Sequence, residues 1–455
     1  MLKLIISAYA CSPNMGSELG IGWNWCVQLA LHCELHIITE SEYQERIEAA
    51  LSTLEQGGRM HFHFLPVTEK VRRMCWNQGD WRFYIYYKKW QQRAADMARD
   101  ICRQERIDIL HQLNMQGFRE PGYLWRVSQE TGIPFVWGPI GGLKQFPMAY
   151  AKDGSWKMHY FMGLKNRLNT WQLKHSRRVG NAMKQASLLI SSIPDSYRAI
   201  KEVKGLESVW MPDTGTFVDE DLNLNANVDA NPDVNLNVDD KFVVVWAGKF
   251  DFRKRLDMAL KAIAETGNQR IRLKVLGSGN QRQEAGAKAL AERLSVARQV
   301  EWMGNIPNSQ VQEEMRKADL FLFTSVNEET STVIMEAISN RLPVLCFDCC
   351  GMSAVVTDEV GKKIALTTPQ QSVKDFAEAI SYLYNHREML AQMSENCKLR
   401  AEQLSWESKA QRMVEMYKNL NPNLNHNLNL NPNSNPNSNS NPNSNPNLNH
   451  NGKDV

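Results

Sequence analysis

Two glutamates, Glu328 and Glu336, are the strongest candidates for chemistry in this sequence, because seven residues separate them across a hydroxyl-rich turn at 330–332. The turn follows the apolar run Leu320–Phe323, so the order predicts a strand, a turn and a helix that begins near an N-cap at Ser331. A helix start presents free N–H groups and the positive end of the helix dipole, which suit a phosphate. The two carboxylates can then accept hydrogen bonds from different hydroxyls of a sugar nucleotide.

A basic turn provides the complementary charge. Gly248, Lys249 and Lys254 follow the apolar run Phe242–Trp246, which predicts a strand, a glycine turn and a basic loop before the next helix. Two ammonium groups at this place can neutralise a departing diphosphate, where metal-dependent enzymes use magnesium. An ordinary solvated turn is the alternative interpretation of these lysines.

Two further loops follow predicted strands. Gly16 lies in a loop after the first strand, where a backbone without a side chain can approach a ligand closely. Ile306 follows the short run Val300–Trp302, and the backbone of that turn can meet a nucleobase. The glycines at 16, 20 and 22 lack the G-x-G-x-x-G spacing of dinucleotide-binding folds, which argues against an oxidoreductase or epimerase.

Short apolar runs alternate with amphipathic helical stretches in both large parts of the chain, which predicts parallel α/β sheets. The predicted strands of the first part are Leu2–Ile6, Leu35–Thr39, Phe62–Leu65, Ile107–Leu110, Pro134–Trp137 and Ser187–Ser191. Those of the second part are Phe242–Trp246, Ile271–Leu276, Val300–Trp302, Leu320–Phe323 and Leu342–Phe347. Two Rossmann-like, doubly wound domains are therefore expected, with a ligand cleft between the carboxyl ends of their strands.

Two asparagine-rich segments divide the chain. Every second residue is Asn or Asp from 223 to 239, and every odd position is Asn from 419 to 451. Repeated proline and little apolar surface predict disorder in both segments. The expected organisation is an amino-terminal domain at 1–220, a linker at 221–240, a carboxyl-terminal domain at 241–418 and a tail at 419–455. A last helix near 405–420 can pack back across the domain junction.

Composition narrows the class of protein. The 455 residues are 43% hydrophobic and 23% charged, with a net charge of +3, as in soluble globular proteins. No apolar stretch is long enough to span a bilayer. The nine scattered cysteines favour a reducing cytoplasm, and Cys346, Cys349 and Cys350 are interpreted as buried thiols. The acidic triplet at 219–221 is interpreted as solvated, so no metal site is predicted.

Taken together, these motifs resemble the retaining glycosyltransferases of family 4, the group 1 glycosyltransferases with the GT-B fold of two Rossmann-like domains. Glu328 and Glu336, followed by Leu342-Pro343-Val344, are similar to the family's E-x7-E segment and its trailing apolar strand. Gly248-Lys249 and Lys254 are similar to its basic element, although Arg255 replaces a glycine. The resemblance extends over nearly the whole chain outside the asparagine-rich segments and is most specific in the carboxyl-terminal half.

The resemblance implies a role for each motif. Lys249 and Lys254 would hold the diphosphate of a nucleotide-sugar donor, and Glu328 would contact the transferred sugar. The roles implied for the nucleotide are ribose binding by Glu336 and backbone contacts by Gly16, Gly248, Ser331, Thr332 and Ile306. It also implies metal-independent, front-face transfer with retention and no cofactor besides the donor substrate. Many members carry a histidine shortly after the fourth strand, whereas His111 here comes about two positions early.

Two basic and aromatic segments bear on the acceptor. Residues 71–93 contain six Lys/Arg and one Asp, and residues 152–184 contain eight Lys/Arg and one Asp. Cations interleaved with aromatic rings suit an anionic membrane surface; solvated helix faces are the alternative, and no nucleic-acid module accompanies them. We therefore expect a cytoplasmic enzyme, peripheral at the inner face of the membrane, that glycosylates a saccharide or lipid-linked acceptor. A catalytically inactive, glycan- or membrane-binding GT-B scaffold is the alternative function.

Overall fold

A computed structural model describes residues 1–77, 80–152, 154, 156–217 and 241–420, and these residues form two α/β domains. The predicted linker at 221–240, the acidic triplet at 219–221 and the tail beyond residue 420 lie outside the described residues. The fold class predicted from the sequence is confirmed, because each domain is built on a parallel sheet with helices on both faces.

The amino-terminal sheet contains seven strands in the order β3-β2-β1-β4-β5-β6-β7, and every neighbouring pair is parallel. Its strands are β1 (Leu2–Ala8), β2 (Cys33–Thr39), β3 (Met60–Phe64), β4 (Ile109–Asn114), β5 (Phe135–Ile140), β6 (Leu188–Ser191) and β7 (Val209–Trp210). The central strands are buried along almost their whole length, as helices on both faces require. The winding direction reverses between β1 and β4, and ligands bind at such switch points.

The carboxyl-terminal sheet repeats this plan with six strands in the order β10-β9-β8-β11-β12-β13. Its strands are β8 (Phe242–Ala247), β9 (Ile271–Leu276), β10 (Val300–Gly304), β11 (Leu320–Phe323), β12 (Val344–Phe347) and β13 (Gly361–Ile364). The switch point lies between β8 and β11. The predicted strands are all present, but β7 and β13 were missed, because β7 has only two residues and β13 contains two lysines.

Helices cover both sheets. The amino-terminal domain contains α1 (Ser17–Ala30), α2 (Gln44–Leu51), α3 (Glu69–Trp76), α4 (Phe83–Gln104), α5 (Leu124–Thr131), α6 (Met148–Ala151), α7 (Trp156–His175), α8 (Arg177–Gln185) and α9 (Pro194–Lys204). The later helices are α10 (Leu256–Glu265), α11 (Gln281–Arg293), α12 (Asn308–Arg316), α13 (Thr332–Ser339), α14 (Met352–Val355), α15 (Pro369–Asn385), α16 (Arg387–Gln403) and α17 (Trp406–Leu420).

Each domain contributes an element to the hydrophobic core of the other. Phe146 and Tyr150, from the connection after β5, pack in the core of the carboxyl-terminal domain, and the Tyr150 hydroxyl lies 2.6 Å from Ser372 Oγ. In return, α17 packs on α1, where the ring of Trp406 meets that of Trp25 edge-on at 5.6 Å. The two domains therefore share their cores at two places.

Candidate functional site

A cavity of about 710 Å³ lies between the two domains, and loops that follow the switch-point strands of both sheets line it. The start of α1 contributes Glu18 and the loop after β4 contributes Gln116 from one side. The loops after β8 and β11 contribute the basic turn and the glutamate-rich turn from the other side. The cleft is thus formed where two doubly wound sheets face each other at the positions that usually bind ligands.

Lys254 and Glu328 form the centre of the carboxyl-terminal side. The Nζ atom of Lys254 lies 2.9 Å from Oε1 of Glu328, and the two side chains are only 14% and 15% exposed. The hydroxyl of Ser325 donates to the same carboxylate at 3.0 Å, and Arg253 lies 3.5 Å from its other oxygen. These contacts fix a carboxylate and a cation side by side in the cleft, with the ammonium group 4.8 Å from the centre of the Phe323 ring.

The start of α13 supplies unpaired backbone donors beside this pair. Ser331 occupies the N-cap with extended backbone, as the sequence predicts, but its side chain makes no capping hydrogen bond to a described residue. Ser331 and Thr332 line the cavity, so the first N–H groups of α13 face it without a side-chain acceptor. Such a helix start favours an anion.

Glu336 lies one turn further along α13 and also lines the cavity. Burial raises the pKa of its carboxyl group, and hydrogen bonds with Asn308 and Gln312 oppose that rise. The Asn308 amide lies 3.5 Å from Oε1 of Glu336. A partly buried carboxylate held in this way can accept hydrogen bonds from a ribose.

Three glycine turns form the floor of the cleft. The N–H of Gly248 donates to Leu276 O at 2.9 Å, and the N–H of Gly277 donates to Gly304 O at 2.8 Å. Gly277 has a φ of +131°, and a Cβ there would lie 2.0 Å from the Gly248 carbonyl oxygen, so only glycine fits. The exposed side chain of Lys249 extends from this floor, and Ile306 lines the cavity nearby.

Gly16 borders a second cavity of about 370 Å³ that adjoins the first, and Ser17, Thr332 and Glu336 line both. A Cβ at Gly16 would meet no atom within 4 Å, which leaves open space for a ligand. In contrast, a Cβ at Gly22 would lie 2.2 Å from Ala10 O, so this glycine permits α1 to pack against its own loop. The structure therefore brings together all nine residues that the sequence singled out along one continuous crevice.

The amino-terminal side of the cleft carries carboxyl groups that the sequence did not single out. The pKa of Glu18 is raised to about 7, mainly by burial and also by the neighbouring charges of Asp213 and Glu329, against a hydrogen bond from the Gln116 backbone. Burial likewise raises the pKa of Asp213 to about 6, with an opposing effect of Lys409. Glu18, Gln116 and Asp213 all line the cavity, and we call them the carboxylate wall.

Glu329 joins the two domains across the cleft. Its carboxylate accepts hydrogen bonds from the N–H of Gly142 at 2.8 Å, from Lys144 Nζ at 2.6 Å and from the hydroxyl of Ser192 at 3.0 Å. The close approach also explains Gly141, where a Cβ would lie 3.0 Å from the Glu329 carboxyl carbon. The glycine loop after β5 thus binds a carboxylate of the other domain.

His111 and Arg255, the two positions at which the chain departs from the family pattern, have structural roles. His111 lies inside the first domain, with Nε2 2.7 Å from Gly138 O and Nδ1 2.6 Å from the Tyr417 hydroxyl, and burial lowers its pKa to about 4. Arg255 has a φ of +53°, a conformation that favours glycine, and its side chain is buried against Asp257.

The functional residues that were not predicted share one sequence feature, which is their position shortly after a strand. Glu18, Gln116, Asp213 and Glu329 each follow a strand by at most ten residues, and carboxyl ends of parallel strands are where ligand-binding residues collect. Asp213 was the hardest to find, because the sequence does not reveal β7. The pairing of Glu329 with the other domain has no sequence signal at all.

Comparison with known proteins finds a family model and several relatives that match part of the chain. Residues 227–400 match the sequence model of the glycosyl transferases group 1. A D-inositol 3-phosphate glycosyltransferase of Corynebacterium urealyticum is 28% identical over 144 residues, which are 32% of this chain and 33% of that protein. The putative teichuronic acid biosynthesis glycosyltransferase TuaC of Bacillus subtilis is 37% identical over 86 residues, 19% of this chain and 21% of that protein. The matches thus span about a third of one relative and a fifth of the other.

Solved structures are similar over nearly the whole chain. A sucrose-phosphate synthase from Thermosynechococcus elongatus superposes with a TM-score of 0.61 and 14% identity, over 92% of this chain and 99% of that chain. The Anabaena protein Alr3699/HepE, solved in complex with UDP, gives a TM-score of 0.58 and 14% identity over 92% of this chain and 100% of that chain. The described part of the chain therefore has the GT-B fold, and residues 227–400 are similar to the glycosyl transferases group 1.

Proposed function

We propose that this chain is a retaining glycosyltransferase that moves a sugar from a nucleoside-diphosphate donor to a saccharide or lipid-linked acceptor. The observation that carries the proposal is the Lys254–Glu328 pair, which lies beside the free start of α13 in the cleft between the domains. The match of residues 227–400 to the glycosyl transferases group 1 supports the donor class. The UDP complex of the Anabaena structure supports a nucleotide in this cleft.

Charge determines the mechanism that we propose. Breaking a glycosyl–phosphate bond builds negative charge on the diphosphate and positive charge on the sugar. Lys249, Lys254 and the α13 N-terminus would stabilise the first charge without a metal, and the Glu328 carboxylate would stabilise the second. The acceptor hydroxyl would attack from the face that the diphosphate leaves, and a phosphate oxygen would take its proton, so that the configuration at the sugar is retained.

A nucleotide panel tests the proposal. We expect one of UDP, GDP or ADP and its matching sugar nucleotide to raise the melting temperature, because a ligand that binds the native state stabilises it. The panel is measured with and without EDTA, and an unchanged shift in EDTA is the expected result. If no nucleotide of the panel stabilises the protein, the proposed function is wrong and the inactive scaffold becomes the better interpretation.

An exposed aromatic and basic surface supports a lipid-linked acceptor. Trp156, Tyr160 and Trp171 on α7 are 77%, 69% and 60% exposed, and Trp81, at the start of α4, is 70% exposed. Aromatic rings beside lysines are suited to the interface of an anionic membrane. In the part of the chain that the structure describes, no helix has both the length and the apolar character to cross a bilayer.

Vesicle flotation tests this surface. We expect binding to vesicles with anionic lipid, weaker binding in high salt and loss of binding in Trp156→Glu. Leu399→Glu is a matched control, because Leu399 is 61% exposed on a helix of the other domain. Equal binding of the two variants, or binding that salt does not weaken, would exclude this surface as the membrane contact.

A further inference from the structure

Two polar side chains on the carboxylate wall have atoms that lack a partner. Gln116 is 7% exposed, and its Nε2 donor makes no hydrogen bond to the described residues. The Oε2 atom of Glu18 is also buried and accepts no hydrogen bond from them. Both residues line the large cavity. A buried polar atom without a hydrogen bond costs free energy, so such atoms at a cleft mark a position where a ligand completes the bonding.

The chemistry of these atoms selects a neutral, hydroxylated ligand. Gln116 Nε2 can only donate, whereas a carboxyl oxygen of Glu18 accepts when it is ionised. A sugar hydroxyl does both, so one hydroxyl or two adjacent ones satisfy the pair. A phosphate does not, since the carboxyl groups of Glu18, Asp213 and Glu329 lie close enough to affect one another's charge and would repel it.

The wall is held rigidly. The Asn114 side chain donates to Ala10 O at 2.7 Å and to Glu18 O at 3.4 Å, while its own oxygen accepts from the N–H of Ala10 at 3.2 Å. These bonds fasten the start of α1 to the loop after β4, which carries Gln116. The backbone that carries Glu18 and Gln116 is therefore fixed before a ligand arrives, which favours binding.

We propose that Glu18 and Gln116, with Asp213 beside them, form a subsite for the hydroxyls of a hexose. The proposal rests on the proposed function, and it adds which residues of the amino-terminal domain recognise sugar. The hydroxyls can belong to the donor sugar or to the acceptor sugar, because the chemistry is shared.

Binding measurements with Gln116→Leu and Glu18→Ala test the subsite, with Gln411→Ala, an exposed position on α17, as the control. Affinities for UDP and UDP-glucose are compared, or for the GDP pair if the panel selects guanine. Binding of methyl α-D-glucopyranoside in the presence of saturating nucleotide is followed by saturation-transfer NMR. Unchanged affinity for the free nucleotide shows that each variant is folded.

We expect both variants to keep the affinity for free nucleotide. Sugar binding should weaken by about tenfold or more in Glu18→Ala, and by about threefold to tenfold in Gln116→Leu, because the amide is neutral. Loss confined to the sugar nucleotide assigns the subsite to the donor, and loss confined to the glycoside assigns it to the acceptor. The subsite alone would be overturned if both variants bound the sugar nucleotide and the glycoside as tightly as the wild type. It would also be overturned if the sugar added nothing to the affinity of the wild type. Failure of the wild type to bind any nucleotide would overturn the proposed function and the subsite together.

Discussion

The two sides of the cleft have opposite chemical character. On the carboxyl-terminal side, Lys249, Lys254 and the start of α13 present cations and N–H donors, which we call the cationic wall. The carboxylate wall opposite presents carboxyl groups whose pKa values burial raises. The difference suits the ligand of the proposed function, a nucleotide sugar with an anionic and a neutral end. Its phosphates would face the cationic wall, and its hydroxyls the other.

Lys254→Ala should produce the largest effect, because it removes the buried ammonium group of the cationic wall. We expect transfer from the sugar nucleotide to fall by about a hundredfold to a thousandfold, as when one oxyanion donor is removed. Initial rates of nucleotide release measure it. Lys261→Ala, on the surface of α10, is the control and should leave the rate unchanged. Normal turnover by Lys254→Ala would remove the basis of the contrast between the walls.

Glu18→Gln tests the carboxylate wall through stability. Because burial raises the Glu18 pKa from 4.5 to about 7, the native state keeps a proton in this range that the unfolded state has released. The free energy of unfolding of the wild type therefore falls as pH rises through this window. Glu18→Gln has no proton to release at this position, so its free energy of unfolding does not show this fall. We expect Glu18→Gln to gain up to about 3 kcal/mol on the wild type between about pH 5 and about pH 8.

Urea denaturation across the pH range measures this gain. Glu130→Gln is a control of opposite sign, because the hydrogen bond from Arg99 lowers the Glu130 pKa. The contribution of Glu130 to stability is present above its unfolded pKa and is lost as pH falls through the lower folded value. A pH-independent difference between Glu18→Gln and the wild type would contradict the buried carboxyl group.

Glu336→Ala sharpens the assignment of the nucleoside. The variant loses a carboxylate that accepts hydrogen bonds, so we expect about tenfold to a hundredfold weaker nucleotide binding. Isothermal calorimetry with the nucleotide of the panel measures it, and Glu313→Ala on α12, an exposed ion-paired glutamate, is the control. Equal affinities of the two variants would exclude Glu336 from the ribose contact.

Glu329→Ala should give the smallest effect, because it removes one of several contacts between the domains, which also share core elements. Three hydrogen bonds across the cleft are lost, and we expect the domains to open, with a larger radius of gyration in small-angle scattering and about a fivefold higher KM. Lys144→Ala loses one of these three hydrogen bonds, so its radius of gyration and KM should lie between those of Glu329→Ala and the wild type. An unchanged radius of gyration in Glu329→Ala would show that other contacts hold the domains together.

The fold was largely predictable from the sequence, because buried parallel strands appear as short apolar runs. Ile271–Leu276 and Leu320–Phe323 coincide with observed strands. β13 was not predictable in this way, since an edge strand is covered on one side only and Lys362 and Lys363 fit there. Local pattern thus identifies the central strands and the edge strands β3 and β10, which are more apolar, and misses the edge strands β7 and β13.

The carboxyl-terminal side of the site was far more predictable than the amino-terminal side, where the sequence singled out only Gly16. The residues of the cationic wall lie in two local motifs, each a strand followed by a turn, so spacing alone brings them together. The carboxylate wall assembles residues 18, 116 and 213 from three separate loops, and its pKa shifts arise from burial that the sequence does not reveal. The contacts of Glu329 depend on how the domains dock, which no local pattern encodes.

The mutual exchange of core elements limits where this molecule can be cut and recombined. A hybrid that takes donor selectivity from a relative would have to move Phe146–Ala151 with the second domain, because Tyr150 is buried there against Phe347. It would also have to keep Trp406–Leu420 with the first domain, where Lys409 donates to Thr214 O at 2.6 Å and Tyr417 meets His111. A single crossover in the linker would split both cores.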